Sequence, residues 1–487
     1  MHSCLLFNVV DVGYLNRSGG IYRIATILRN EGLDVEVIDY SNFWTLEQLK
    51  QVFQSRHSGD LKFIGFSHLF SIWPQVLEDF CSWVKTAYPE IKIMSGSSVF
   101  PKFETEYIDY YIRGYGEIAM VELVKYMCSN GPRPRFMLDA PKGKKIIDAN
   151  ANYPAYPMRS SVIIYEDRDF LEPDEWLVTE FARGCKFQCA FCNFPILGVK
   201  GDYTRDADDF ELQMRDAYDR FGIQNYIVAD ETFNDRTEKI TKFADVVERL
   251  GFDTFFSGFI RADLLISRPK DREELLRMNF LGQFYGVETF HPTAAKAIGK
   301  GMDPDRVKEG LVDLKKYFTT HGKKQYRATL ALIFGLPGED FESLDRSKKW
   351  LIDNWQTQNF LASWLDIPKG QFEHPSKMSL DYKKYGYVEI PEQELAPLER
   401  AKTTGHGADV MYWQNDQMNF YQARDLVEDF IKIKDTHDFR TGSFALGHRL
   451  KRPYTVGEVL DMTWDEQKDA RDYSGHIERY IAKKLSI

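Results

Sequence analysis

Apolar positions in the first part of the chain alternate between two rhythms. Short apolar runs at residues 5–10, 35–38, 63–66, 91–94 and 107–112 read as strands, and between the first two Ile21, Ile24, Ala25 and Leu28 form a stripe at helical spacing. Strands alternating with helices predict a parallel sheet covered on both faces, with ligands taken beyond the carboxyl ends of its strands. Residues 1–137 are therefore expected to form a Rossmann-like, doubly wound domain. The rhythm then breaks at Pro141, Gly143, Asn150, Asn152, Pro154 and Pro157, which reads as a linker over residues 138–172. A second α/β series follows over residues 173–375, with strands predicted at 177–179, 226–228, 254–256, 283–285, 329–334 and 361–365. Helical periodicity fills the intervals, for example at 237–250 and 304–318. Six such units predict an open, partial (βα)6 barrel of the TIM type, with its active site at the carboxyl ends of the strands. After residue 376 strand signals fade and stretches such as 421–434 and 463–484 look helical and charged, so residues 376–487 are read as a C-terminal helical region. No fixed-period repeat is visible.

Composition narrows the function. The 487 residues suffice for about three domains at ~150 each. A 43% hydrophobic and 28% charged balance leaves little room for long disorder. The net charge of −10 disfavours a general phosphate-binding surface, and with it nucleic acid as a partner. No apolar run approaches the ~20 residues of a membrane-spanning helix. The first residues run from Met1 through a short apolar stretch into Asp11 and read as a strand, not a signal peptide, so a cytoplasmic location is expected. Of six cysteines, Cys4, Cys81 and Cys128 are scattered, while Cys185, Cys189 and Cys192 are bunched, a distribution that suits ligation better than disulfides.

Those three thiols lie just after the first predicted barrel strand, where a loop can turn them toward one centre. Structural zinc wants four nitrogen or sulfur ligands, yet no histidine lies between His68 and His291 and no fourth cysteine is nearby. Iron-sulfur clusters are the other common home of clustered thiolates, usually four of them. Three would leave one iron open to a substrate or cofactor.

The Cys-x3-Cys-x2-Cys spacing, with Arg183-Gly184 before it and Phe191 ahead of the last cysteine, resembles the signature of the radical S-adenosylmethionine (SAM) superfamily. The resemblance implies a [4Fe-4S] cluster on Cys185, Cys189 and Cys192. It implies that SAM binds the fourth iron and is cleaved reductively to a 5′-deoxyadenosyl radical. Further segments resemble the same family: Asp230 and Glu231 after the second strand, Gly286-Val287-Glu288-Thr289 at the fourth, and Gly335-Leu336-Pro337-Gly338-Glu339 at the fifth. These imply cofactor-binding roles for Phe191, Asp230, Glu231, Glu288 and Gly335. Of the two acidic residues Asp230 is the stronger candidate, since Glu231, Asn234 or Asp235 equally suit the start of the next helix. Arg261 and Arg327 are candidate partners of the SAM carboxylate, with Arg261 retained and a salt-bridged barrel arginine as the plainer alternative.

The first domain resembles the cobalamin-binding domain that precedes the barrel in one class of these enzymes. Ser67 and Leu69 match a Ser-x-Leu element, Gly96 lies where a Gly-Gly pair is usual, and Gly114-Tyr115-Gly116-Glu117 matches a Gly-x-Gly-Glu segment. The resemblance implies cobalamin contacts at Ser67, Leu69, Gly96 and Gly116. The loop 11–16 carries no histidine for cobalt, and Ser95 replaces a glycine. His68 reads more readily as a structural histidine than as a ligand. The expected function is cobalamin-dependent methylation or rearrangement of an unactivated carbon in a small-molecule or peptide substrate, with flavodoxin or ferredoxin as electron donor. Two alternatives stay open: a radical SAM enzyme with a vestigial Rossmann domain, and a noncatalytic iron-sulfur carrier or sensor. Trp364, Lys369 and His374 lie where substrate contacts are expected, and the segment 412–415 is expected to cover the barrel mouth.

Overall fold

The computed structural model describes residues 3–10, 16–68, 73–97, 106–149, 162–192, 203–322, 326–368, 376–395 and 410–487. In the first domain, strands β1 (Cys4–Val9), β2 (Val35–Ile38), β3 (Phe63–His68), β4 (Lys92–Ser97), β5 (Tyr110–Arg113), β6 (Met137–Asp139) and β7 (Lys145–Asp148) form one sheet in the order β2-β1-β3-β4-β5-β7-β6. All neighbours are parallel except β6, which pairs antiparallel with β7. Helices α1 (Gly19–Asn30), α2 (Leu46–Arg56), α3 (Gln75–Ala87) and α4 (Glu117–Cys128) cover it. The apolar stripe read on the first helix is real: Ile21, Ala25 and Leu28 are fully enclosed in α1. The boundary differs from the expected one. Residues 137–148, read partly as linker, form a hairpin around the Pro141 turn that extends the sheet, because β7 finds the free edge of β5.

The second sheet has the order β15-β14-β13-β12-β11-β8, every pair parallel, and curls into the open six-stranded barrel. Its strands are β8 (Trp176–Thr179), β11 (Asn225–Val228), β12 (Phe255–Ile260), β13 (Phe280–Glu288), β14 (Arg327–Phe334) and β15 (Asn359–Trp364). Between β8 and β11 lies a two-residue hairpin of β9 (Ala182–Arg183) and β10 (Tyr203–Thr204). Helices on the outer face include α5 (Ala207–Phe221), α6 (Thr237–Leu250), α7 (Ala262–Ser267), α8 (Pro269–Arg277), α9 (Pro292–Ile298), α10 (Pro304–His321) and α11 (Phe341–Asn354). Local chemistry sets their ends. Asp206 caps α5 and left-handed Gly222 stops it, while Asp340 and Ser343 make a reciprocal capping box on α11.

The C-terminal region is more than a helical cap. The stretch 463–484 is two helices, Trp464–Ala470 and Tyr473–Leu485, parted where Arg471 bridges to Leu450 and Asp472 caps the second helix. The segment Ser443–Gly447 plugs the amino end of the barrel, with Leu446 against Trp176 and Ile227. The helix Tyr473–Leu485 returns to the first domain and adds Ile477, Tyr480 and Ile481 to its core. There Lys484 Nζ lies 2.9 Å from Glu36 Oε1 and Arg56 Nε 3.1 Å from Glu36 Oε2, all three side chains closed to solvent. Arg17 adds a second clamp, reaching Asp39 after β2 at 2.6 Å and Glu175 before β8 at 2.7 Å.

Burial alone would raise the Glu36 carboxyl, but Lys484 and Arg56 hold it down, to about 2. A depressed carboxylate stabilises the fold above its unfolded pKa and stops doing so once protonated. Clamping by the last helix should therefore weaken as pH falls from about 4.5 toward 2, seen as earlier protease cleavage of the C-terminal helix. Glu36→Gln strands buried cations and should cost about 3 kcal/mol at neutral pH, read from the urea unfolding midpoint.

Candidate functional site

The loop that carries the three thiols leaves the carboxyl end of β8 and is held on both sides. Phe181 N donates to Asp230 Oδ1 at 2.7 Å, and Gly184 N donates to Glu231 Oε2 at 3.1 Å. Gly184 adopts a φ of +91°, open to glycine at little cost, which lets the chain turn sharply ahead of Cys185. Farther on, Ala190 N donates to Ile298 O at 3.0 Å and Ala190 O accepts from Met378 N at 2.9 Å. Cys185, Cys189 and Cys192 are all half-buried and none is in a disulfide. Cys185 Sγ is 3.4 Å from Thr232 Oγ1, and Arg261 Nη1 is 4.0 Å from Cys189 Sγ. The Arg261 guanidinium stacks 3.7 Å above the Phe187 ring and is held by Asp263, while Asn234 clasps its backbone N–H and C=O.

Among the described residues no three His, Cys, Asp or Glu side chains close on the position of one ion. Three partly exposed thiols at a barrel mouth, with a guanidinium beside them to offset thiolate charge, fit a larger thiolate-bound iron centre.

This loop also meets the carboxyl edge of the first sheet. Arg183, only 7% exposed, pairs with Glu117 at the start of α4, itself 4% exposed. The same guanidinium reaches Glu180 at 3.1 Å and lies 4.4 Å from the centre of the Tyr115 ring. Arg23 of α1 reaches Glu180 from the other side at 2.8 Å, and Tyr115 OH donates to Glu231 at 3.4 Å. Burial would raise Glu180, but Arg183 and Arg23 hold it down to about 2. In Arg183 burial opposes the charge and loses to Glu180 and Glu117. Sequence reading passed over Arg23, Tyr115 and Glu117 as site residues. The motif around Gly116 carried two of them, but nothing local showed that their partner would be the arginine two residues before Cys185.

Several expected site residues stand differently. Asp230 is 2% exposed, and burial raises its carboxyl to about 7 even as Lys239 and the Phe181 and Ala182 amides oppose the shift. It braces the loop through the Phe181 amide, while Glu231 accepts from both the Gly184 amide and Tyr115 OH. Gly335 does not offer its face to a ligand: with φ +90°, a Cβ there would meet the Trp413 ring at 2.2 Å. Its N–H donates to Glu339, whose carboxyl burial raises to about 8, and its carbonyl accepts from Tyr387 OH at 2.7 Å. Arg327 sits at the opposite, amino end and donates to Leu460 O. His68 is buried 3.0 Å from Ser95 Oγ, and burial lowers it to about 4, so it is neutral and structural.

Glu288 closes β13 after a bulge at a φ of +71°, is 9% exposed, and lies over Gly286, where a Cβ would stand 2.6 Å from its Oε1. Burial raises its carboxyl and Lys300, 3.4 Å away, partly offsets this. Phe191 is half-buried against the main core. Ser67 and Gly96 are register partners at the carboxyl ends of β3 and β4, and a Cβ on Gly96 would meet nothing nearer than 3.9 Å, which leaves backbone open to a ligand. Gly116 caps α4 and lies tight against Ile112. Trp364 donates to Asp366 at 3.1 Å, and Trp413 donates to Leu365 O at 2.8 Å, which seats the segment 412–415 at the carboxyl ends of β14 and β15. Leu69, Lys369, His374 and the loop 11–15 lie outside the described residues.

Residues 179–351 match the family profile described as Radical SAM superfamily. A curated relative named Uncharacterized methyltransferase PH0819, from Pyrococcus horikoshii, is 23% identical over 274 residues, 54% of this chain and 55% of its own. The chain thus spans about half the length of that relative. Among solved structures, the fold is similar to the radical SAM methyltransferase TsrM from Kitasatospora setae with tryptophan and a SAM analogue bound, at 14% identity, a TM-score of 0.67 and 99% coverage of both chains. It is also similar to the cobalamin-dependent SAM radical enzyme OxsB with aqua-cobalamin bound, at 18% identity and a TM-score of 0.58, covering 78% of this chain and 56% of that one. The barrel thus matches the radical SAM profile over residues 179–351, and the sheet before it shares the fold of these solved structures.

Arg183→Met would leave Glu117 buried beside Glu180 without its cation. The expected outcome is a loss of about 3–5 kcal/mol in stability, with amide exchange over residues 181–192 rising more than in the helix Tyr473–Leu485. Gly335→Ala combines the strained φ with the Trp413 clash and should cost about 3 kcal/mol in the same unfolding assay.

Proposed function

We propose that the chain is a radical SAM enzyme that holds a [4Fe-4S] cluster on Cys185, Cys189 and Cys192 and a cobalamin on the carboxyl edge of the first sheet. Its reaction is methylation or rearrangement of a small molecule at an unactivated carbon. The observation that carries this reading is the buried Glu117–Arg183 pair, which ties the edge carrying Gly96 and Gly116 directly to the cysteine loop. When bound, the cluster and SAM would supply a 5′-deoxyadenosyl radical and the cobalamin a methyl carrier. The chain's own part is placement and exclusion of water. Arg261 sits beside the thiols as a fixed positive charge, and Glu231 and Glu288 present carboxylates around the mouth suited to the amino and ribose groups of SAM. With His68 committed to Ser95, cobalamin would be held without a ligand from that histidine. A flavodoxin or ferredoxin would supply the electron, in a cytoplasmic setting.

A second reading keeps the radical chemistry but leaves the first domain without cobalamin. It is favoured by Ser95, whose hydroxyl is spent on His68 at a position where glycine would give a ligand more room. Anaerobic reconstitution with iron and sulfide, then SAM, dithionite and hydroxocobalamin, separates the two. We expect 5′-deoxyadenosine by mass spectrometry, its loss in Cys189→Ala, and corrinoid retained through gel filtration. Deoxyadenosine without retained corrinoid would select the second reading. A loaded cluster that leaves SAM intact would overturn both.

A further inference from the structure

Toward the carboxyl ends of β12, β13, β14 and β15 burial alternates with a period of two, and the inward positions there are the more open ones. On β12 Phe256 and Ile260 face the helices and are buried, while Phe259 is 41% exposed. On β15 Phe360 is fully buried and Leu361 is 43% exposed. Phe284, Ala331 and Ile333 point the same way and are half-buried. Among the described residues these side chains leave exposed, mainly apolar surface on the inner face of the barrel.

Its floor comes from the C-terminal region. Ser443 N and Oγ donate to Thr329 Oγ1 at 2.8 and 3.1 Å, and Ser257 Oγ donates to Ser443 O at 2.9 Å. These polar groups satisfy one another beneath the lumen. Above them Phe444 meets Phe259 and Phe284 with ring centres 5.1 and 5.3 Å apart, tilted by 50° and 45°, while Phe259 and Phe284 meet edge to face at 5.0 Å. The three rings make a tilted cup. Phe259 lies midway between Ser257 at the floor and Arg261 at the mouth, so the chamber is about 13 Å deep at 3.3 Å per strand residue.

We propose that this cup selects the substrate, and that the substrate is a compact aromatic molecule with its ring system on Phe259, Phe284 and Phe444 and its polar end at the mouth. Rings at these tilts offer both faces and edges to a further ring. A sugar or other polyol would bury hydroxyls against a floor whose own polar groups are already paired, at a desolvation cost nothing returns. A long acyl chain would run into the closed floor. What the chemistry does with the bound molecule rests on the proposed function above, but the binding itself does not.

Calorimetry on the full chain, with no cluster and no SAM, tests binding with indole as the aromatic probe and decanoate as the chain probe. Indole should saturate one site. Ala331→Trp, which fills the lumen from the wall, should weaken it at least tenfold, and Phe444→Leu, which keeps apolar bulk but removes a ring, severalfold. The two variants act from different segments, so circular dichroism can certify either one alone as folded. Indole that fails to bind, binds equally well in a folded variant, or binds more weakly than decanoate would overturn the proposal. Indole binding in a protein that never forms deoxyadenosine would sink only the proposed reaction. Deoxyadenosine formation without indole binding would sink only the aromatic chamber.

Discussion

A single arginine, held out of water between two sheets, is the constraint on which the rest of this architecture depends. Arg183 has neighbours from both domains: Glu117 and Tyr115 from the first, Glu180 from the second. Burying a guanidinium is tolerable only if carboxylates meet it at close range, and those carboxylates are in turn tolerable only beside the cation. Glu117 and Arg23 of the first domain meet opposite charges across the boundary, on Arg183 and Glu180, so the stable arrangement is the one that brings the carboxyl ends of both sheets together. The cysteine loop begins two residues later and inherits that geometry, with Asp230 and Glu231 fastening its backbone from the barrel side.

Much of this was legible from periodicity, because short apolar runs and stripes at helical spacing mark the faces that pack inward. Residues 35–38 and 237–250 fall where the pattern put them. The misplacements have local causes. The hairpin 137–148 was hidden by Pro141 and Gly143, which sit in its turn and look the same in a connection. The stretch 463–484 keeps its helical composition through the break because Asp472 serves equally as a polar surface residue and as a cap.

The candidate site divides along the same line. Cys185, Cys189 and Cys192 stand close in sequence, so their spacing exposed them, and Glu288 was marked by the glycine two residues before it. Asp230 and Gly335 were recognisable as special positions, but their roles depend on partners far along the chain. One is braced by Lys239 and the loop amides, the other is filled by Trp413. Contacts between residues some seventy positions apart, such as Glu117 with Arg183, leave no periodic trace in the chain. The same holds for Phe444, an unremarkable aromatic in sequence that becomes part of a lumen floor.

That floor has a bearing on biosynthesis. All six barrel strands precede residue 365, whereas the segment that closes the barrel's amino end begins near residue 441 and the helix that locks the first domain follows it. A chain emerging from the ribosome can thus pair its parallel strands while both the lumen and the first-domain core still lack their last walls. Apolar surface at Trp176, Ile227, Phe259 and Phe284 stays wet during that interval, the condition under which nascent barrels associate wrongly. Emergence of the segments beyond residue 441 closes the trough at its amino end, so both cores gain their last walls well after the strands those walls cover.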